Sequence, residues 1–188
     1  MTIATRFGVE LRAEMHGDTL RGHAAVFDTR ARIRNGWEDV DRHAFDSVLA
    51  DRDTDVRALI NHQPSMLLGR QSAGTLRLSV DSQGLPFEVD LPNTSYANDL
   101  RVLVERRDLD GASFGFVPGA DRFTRSSDGR TLRTHTSVKA LLDVSAVTYP
   151  AYDGADVALR HYELSSPDGR SQLILARHRA RTAGGITP

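Results

Sequence analysis

A chain of 188 residues, 39% apolar and 26% charged, is long enough to bury one sizeable core and has the make-up of a soluble globular domain. Its net charge of −1 gives no global electrostatic case for nucleic acid or an anionic membrane as partner. No stretch reaches the ~20 apolar residues of a membrane-spanning helix, and the start lacks a signal-peptide pattern. Cysteine is absent altogether, which excludes disulfides, thiolate metal sites and cysteine nucleophiles, and Lys139 is the only lysine. Covalent chemistry would fall to serine, threonine, that lysine or a carboxylate.

Taken in order, residues 7–13 alternate loosely and suit a strand, which His16-Gly-Asp-Thr joins to a second strand over 20–27. A loop rich in Arg and Asn leads to Trp37-Glu-Asp-Val-Asp41. There Asp41 is expected to cap a short helix carrying Ala44, Phe45, Val48 and Leu49 on one face. A strand over 55–60 runs into Asn61-His62-Gln63-Pro64, where His62 closes the strand and meets a Gln-Pro turn. Residues 74–81 and 85–91 form a hairpin about Ser82-Gln-Gly84, with Pro86 placing the start of its second strand at an edge or a strand end. Pro92-Asn-Thr begins a helix whose apolar stripe is Tyr96, Leu100, Leu103 and Val104.

After Asp108-Leu-Asp-Gly111 a strand begins at Ser113, a hairpin follows over 121–136 with its turn at Ser127-Asp-Gly129, and Leu141–Tyr149 is the most apolar strand. A short strand over 156–160 completes a domain of residues 1–164. Residues 165–188, rich in arginine, read as a basic mobile tail with one short helix over 172–179. Many short strands with two helices imply one mainly-β domain of the α+β kind, barrel-like or sandwich-like, with helices packed outside.

Three residues stand out as chemistry. Ser113 follows a turn-forming Asp-Gly and a small residue and opens Ser-Phe-Gly-Phe. Such a serine is either satisfied by the backbone inside a sheet or is a nucleophile, and a nucleophile needs a base and a group to orient that base. The segment fits neither a phosphate-binding loop nor the Gly-x-Ser-x-Gly elbow. Among seven histidines, His62 alone closes an apolar strand at a loop, where a scaffold presents reactive groups. Asp143 interrupts an apolar strand, so its carboxylate needs a cation or hydrogen-bond donors. An arginine there would make it structural, whereas a histidine ring would make it the orienting group. No histidine pair has the i, i+4 spacing of a helical zinc motif, and no acidic loop suits calcium. No cofactor or metal is therefore expected.

An ordered series of motifs then resembles one family. It runs through Gly22-His-Ala-Ala-Val-Phe-Asp28, Trp37-Glu-Asp-Val-Asp-Arg-His-Ala-Phe45, Val56-Arg-Ala-Leu-Ile-Asn-His62, Leu68-Gly-Arg70, Gly74-Thr-Leu-Arg-Leu78 and Gly84-Leu-Pro-Phe-Glu88. It closes with Leu91-Pro-Asn-Thr94, Ala112-Ser-Phe-Gly-Phe116 and Leu142-Asp-Val-Ser-Ala-Val-Thr-Tyr-Pro-Ala-Tyr152. Over residues 20–160 this is similar to the prohead (capsid maturation) serine proteases of tailed bacteriophages. The resemblance implies a closed β-barrel like that of the herpesvirus maturation proteases. It implies a serine endopeptidase with His62 as base, Ser113 as nucleophile and Asp143 as third member, where the family commonly has Glu.

Related viral proteases can use a second histidine, which would be His23, His135 or His161; His23 also stands where an aromatic residue is expected. The oxyanion donors would be backbone amides around Ser113 or the side chain of Arg70. The implied substrates are scaffolding protein, or the scaffolding segment of the major capsid protein, and the protease itself. These would be cut inside the assembling prohead in the host cytoplasm, with self-association possible. The rival readings are a non-catalytic assembly module on the same scaffold and a serine esterase acting on small molecules, which the missing elbow disfavours.

Overall fold

The computed structural model describes residues 4–7, 14–33 and 36–149, as thirteen strands and two α-helices among those residues. In chain order they are β1 (Ala4–Phe7), β2 (Glu14–His16), β3 (Thr19–Val26), β4 (Ala31–Ile33), β5 (Gly36–Val40), α1 (Asp46–Ala50), β6 (Arg57–Ile60) and β7 (Gln63–Arg70). They continue with β8 (Leu76–Leu78), β9 (Gly84–Asp90), α2 (Ser95–Glu105), β10 (Gly111–Pro118), β11 (Asp121–Arg125), β12 (Thr131–His135) and β13 (Val138–Val147). The strand expected over 7–13 falls mostly, and those expected over 156–160 and the tail from 165 wholly, outside the described residues.

The strands form three sheets, in the orders β1-β10-β13-β6-β7, β11-β12-β5-β4 and β2-β3-β9-β8. The mainly-β character holds, but none of the sheets closes into a barrel, so the closed barrel expected from the resemblance is corrected. Closure needs edge strands to find ladder partners, and β7 takes side chains instead. The Leu67 carbonyl accepts from the Tyr96 hydroxyl at 2.8 Å, and the Arg70 amide donates to Thr75 Oγ1 at 3.0 Å.

The first sheet is organised on β10, which is buried at every residue from Gly111 to Val117. Period-two alternation gives β10 two distinct faces. Phe114 and Phe116 stack at 4.9 Å and Phe114 meets Phe45 edge-on at 5.4 Å, building the core. Ser113 and Gly115 fall on the other face. Register with β13 then sets Ser113 opposite Ser145 and Gly115 opposite Asp143.

The hairpin of β8 and β9 pairs Leu76 with Val89 and Leu78 with Phe87, sending Leu76, Phe87 and Val89 into the core. β9 is nevertheless an inner strand. Pro86 is tolerated because it lies one residue beyond the β8 ladder and opposite the bulge between His23 and Ala25 of β3. In α2 the buried residues are Ala97, Leu100 and Val104, while Leu103 is 40% exposed, so the stripe is narrower than its apolar residues suggest. Asp41 does not cap α1: its carboxylate accepts the His43 amide at 3.0 Å in a turn, and the helix starts only after Phe45.

The β11–β12 hairpin lies where expected, and its β12 also pairs in parallel with β5. This sheet holds a charged cluster around His135, which is 1% exposed and set edge-on to Phe116 at 5.1 Å. Its Nδ1 lies 2.6 Å from Asp121 Oδ1, Arg133 Nε donates to Asp121 at 2.8 Å, and Arg133 Nη1 donates to Glu38 at 3.3 Å. Burial acts to raise the Asp121 pKa, but the Arg133 hydrogen bonds and the His135 and Arg133 charges outweigh it and hold the carboxyl below its ordinary value. A depressed native pKa gives stability that is present above the unfolded value of about 3.9 and lost as pH falls through the native one. Asp121→Asn is expected to cost about 2 kcal/mol in urea unfolding at pH 7. That difference should shrink as the pH is taken down through the acid range.

Candidate active site

β6 and β7 are joined by just two residues, Asn61 and His62, with φ of 50° and 55°, between the paired Ile60 and Gln63. Two successive left-handed residues in a two-residue loop make a type I′ turn, whose twist suits a hairpin. Asn is at home in the first position, but the second usually holds Gly, and a histidine there carries strain of about 1–3 kcal/mol. The strain is opposed locally. The Asn61 amide donates to the Ala146 carbonyl at 2.9 Å, its side-chain oxygen accepts the Thr148 amide at 3.0 Å, and its Nδ2 donates to Thr148 Oγ1 at 3.3 Å. The His62 amide donates to Ser145 Oγ at 3.2 Å. The expected Gln63-Pro64 turn is therefore corrected: these two residues open β7, and the turn is the Asn61-His62 pair just before them.

That turn, β10 and β13 bring the three singled-out residues together. His62 Nε2 lies 2.8 Å from Ser113 Oγ, and His62 Nδ1 lies 2.7 Å from Asp143 Oδ1. An ionised carboxylate only accepts, so the ring proton belongs on Nδ1, leaving Nε2 bare to accept from the Ser113 hydroxyl. Ser113 is fully buried, and the side chains of His62 and Asp143 are 8% and 13% exposed. Asp143 is thus satisfied by a histidine ring and not by an arginine.

Two further residues shape the site without having been singled out. Ser145, two residues along β13, donates to Asp143 Oδ1 at 2.6 Å while accepting from the His62 amide. Gly115 leaves room for the carboxylate: a Cβ there would lie 2.2 Å from Asp143 Oδ2 and 3.2 Å from its Cγ. The Gly-between-phenylalanines pattern was the available signal for Gly115. Ser145 stands in the motif beginning at Leu142, but nothing in that pattern gave it a role. Gly115→Ala is expected to leave circular dichroism unchanged while lowering kcat about 100-fold, because an inner strand cannot yield and the carboxylate must swing away.

The other histidines lie elsewhere. His23 is half-buried, with Nε2 2.9 Å from Asp81, and His135 belongs to the Asp121 cluster; His161 is outside the described residues. Ser113 to Gly115 are paired on both sides, with β1 and with β13. Arg70, on β7, hydrogen-bonds Asp55, an engagement that raises the guanidinium pKa and pulls the Asp55 carboxyl well below its usual range. Among the described residues no group of three or more His, Asp or Glu is placed to hold a metal ion, and no helix is long and apolar enough to cross a membrane.

A family model described as caudovirus prohead serine protease matches residues 7–167. The prohead protease of Enterobacteria phage HK97 is 28% identical over 172 residues, covering 88% of this chain and 72% of that protein. The capsid assembly protease of bacteriophage T4 aligns structurally with a TM-score of 0.45 at 9% identity, over 77% of this chain and 96% of that one.

Proposed function

Because the chain belongs to the caudovirus prohead serine protease family, whose members are serine peptidases of capsid maturation, we propose that Ser113, His62 and Asp143 perform peptide hydrolysis here. The observation that carries this reading is the unbroken line of hydrogen bonds from Asp143 through both ring nitrogens of His62 to the Ser113 hydroxyl.

In the first step Ser113 Oγ attacks a peptide carbonyl carbon while His62 Nε2 takes the hydroxyl proton, giving a tetrahedral oxyanion and an imidazolium. Asp143 keeps the proton on Nδ1 and stabilises the imidazolium without accepting its proton. The C–N bond then breaks as Nε2 returns its proton to the departing amine, leaving an acyl ester on Ser113. Water, deprotonated by the same nitrogen, attacks the ester, and the proton goes back to Ser113 as the new carboxyl end leaves. Electrons and protons balance within each half, and no metal or cofactor takes part.

The substrates in this reading are scaffolding protein or the scaffolding segment of the major capsid protein, with the protease itself as a further target. They are cut inside the assembling prohead within the host cell. The first test is co-expression of the chain with the major capsid and scaffolding proteins of its own phage. Wild type is expected to yield shortened capsid or scaffolding protein, and a chain lacking the Ser113 hydroxyl is expected to yield none. Shortening that persists without the hydroxyl would remove Ser113 from the mechanism. No cleavage by either form would support a non-catalytic assembly module on this scaffold.

A further inference from the structure

We propose that Ser145 is a positioning residue for the reaction, acting on both His62 and Asp143; the inference rests on the assignment of these two as base and orienting group. Ser145 is 1% exposed, and its hydroxyl donates to Asp143 Oδ1 at 2.6 Å and accepts the His62 amide at 3.2 Å. One oxygen thereby ties the backbone of the strained turn to the carboxylate that holds the ring. The same Oδ1 also accepts from His62 Nδ1 at 2.7 Å, so ring, turn and carboxylate close into a small cycle through Ser145.

Two features show why the cycle matters here. His62 occupies a left-handed position that histidine disfavours, so its ring direction depends on what pins the turn. Asp143 is short and lies over Gly115, with its other oxygen against that glycine's Cα. It is free to rotate about its own side-chain bond unless a second donor fixes Oδ1. Ser145 supplies that donor from the rung that carries Ser113. Although Ser145 is a serine beside Ser113, its proton goes to Asp143 and not to the base, so it is not placed as a nucleophile.

The donation also sets the electrostatics. A hydrogen bond to the carboxylate withdraws charge that would otherwise fall on His62 Nδ1–H. Without it, Oδ1 becomes a stronger acceptor for the ring and the protonated base is favoured. The acid limb of the pH profile must then move to higher pH.

The test compares wild type, Ser145→Ala, Ser145→Thr and Ser113→Ala as full-length proteins. Each is given a fluorogenic peptide spanning the cleavage site mapped by co-expression, and diisopropyl fluorophosphate is used to follow serine labelling against pH. Ser145→Ala is expected to lower kcat about 10- to 100-fold with KM within twofold, and to move the acid limb of both kcat/KM and labelling up by roughly 0.5 to 1 unit. Ser145→Thr, which keeps the hydroxyl, is expected to recover most of the loss and restore the limb. Should the alanine variant not fold, the near-isosteric Ser145→Cys, with its weak donor, is expected to show the same shift.

A folded Ser145→Ala or Ser145→Cys protein with the wild-type limb and kcat would overturn the inference while leaving the triad intact. Cleavage by Ser113→Ala at the wild-type rate would instead overturn the assignment on which it rests.

Discussion

Ser113→Ala is expected to lower kcat about 10⁶-fold while leaving the protein folded. The magnitude follows from what the hydroxyl does: without it no acyl ester can form, and the residual rate is whatever bound water achieves with His62. Folding is expected to survive because alanine fits a wholly buried strand position and the core-facing neighbours Phe114 and Phe116 are untouched. The loss of the bond to His62 Nε2 should cost about 1 kcal/mol, visible as a small change in the urea midpoint. Rates on the mapped peptide, taken alongside the unfolding curve, separate lost chemistry from lost structure. A variant within tenfold of wild type would exclude Ser113 as nucleophile.

The second large effect is at Asp143. Asp143→Asn is expected to lower kcat about 10⁴-fold with little change in KM. An amide presents both a donor and an acceptor. If its NH₂ turns to His62 Nδ1, the ring proton moves to Nε2, and the base then points a donor at Ser113 in place of a lone pair. If its oxygen turns to Nδ1, the tautomer is kept but the negative charge that stabilises the imidazolium is gone. Ser145 biases this choice, because its hydroxyl donates to the oxygen now shared with the ring. Stopped-time assays across pH, with circular dichroism to show the fold, check the prediction. A loss of less than about tenfold would return Asp143 to a structural role and leave the base without an orienting carboxylate.

Local pattern made much of this molecule readable. Alternation of apolar residues located the β8–β9 hairpin and the β11–β12 hairpin, and helical spacing located α2. Each of these elements is decided by neighbours in sequence. What failed depends on partners far along the chain. The parallel pairing of β5 with β12 joins residues about a hundred positions apart, and nothing in Gly36–Val40 announces it. Three sheets in place of one closed barrel is a matter of which edges are paired, and β7 is capped by Tyr96 and Thr75 side chains that no periodicity reveals.

The site shows the same division. His62, Ser113 and Asp143 were singled out by their settings at strand ends and within apolar runs, and the resemblance joined them. The turn that presents His62 was misplaced because a type I′ turn is recognised by Asn-Gly, and here the glycine position is filled by the histidine itself. The role of Ser145, though the residue lies in a matching motif, was not legible because it is set by β13 pairing with β6 beside the Asn61–His62 turn.

The most direct test of the central claim is to treat the full-length protein with diisopropyl fluorophosphate and locate the adduct by peptide mass spectrometry. One phosphorylated residue, Ser113, is expected, with labelling abolished in His62→Ala. An adduct on Ser145 or another serine, or equal labelling of Ser113 in the absence of His62, would contradict it.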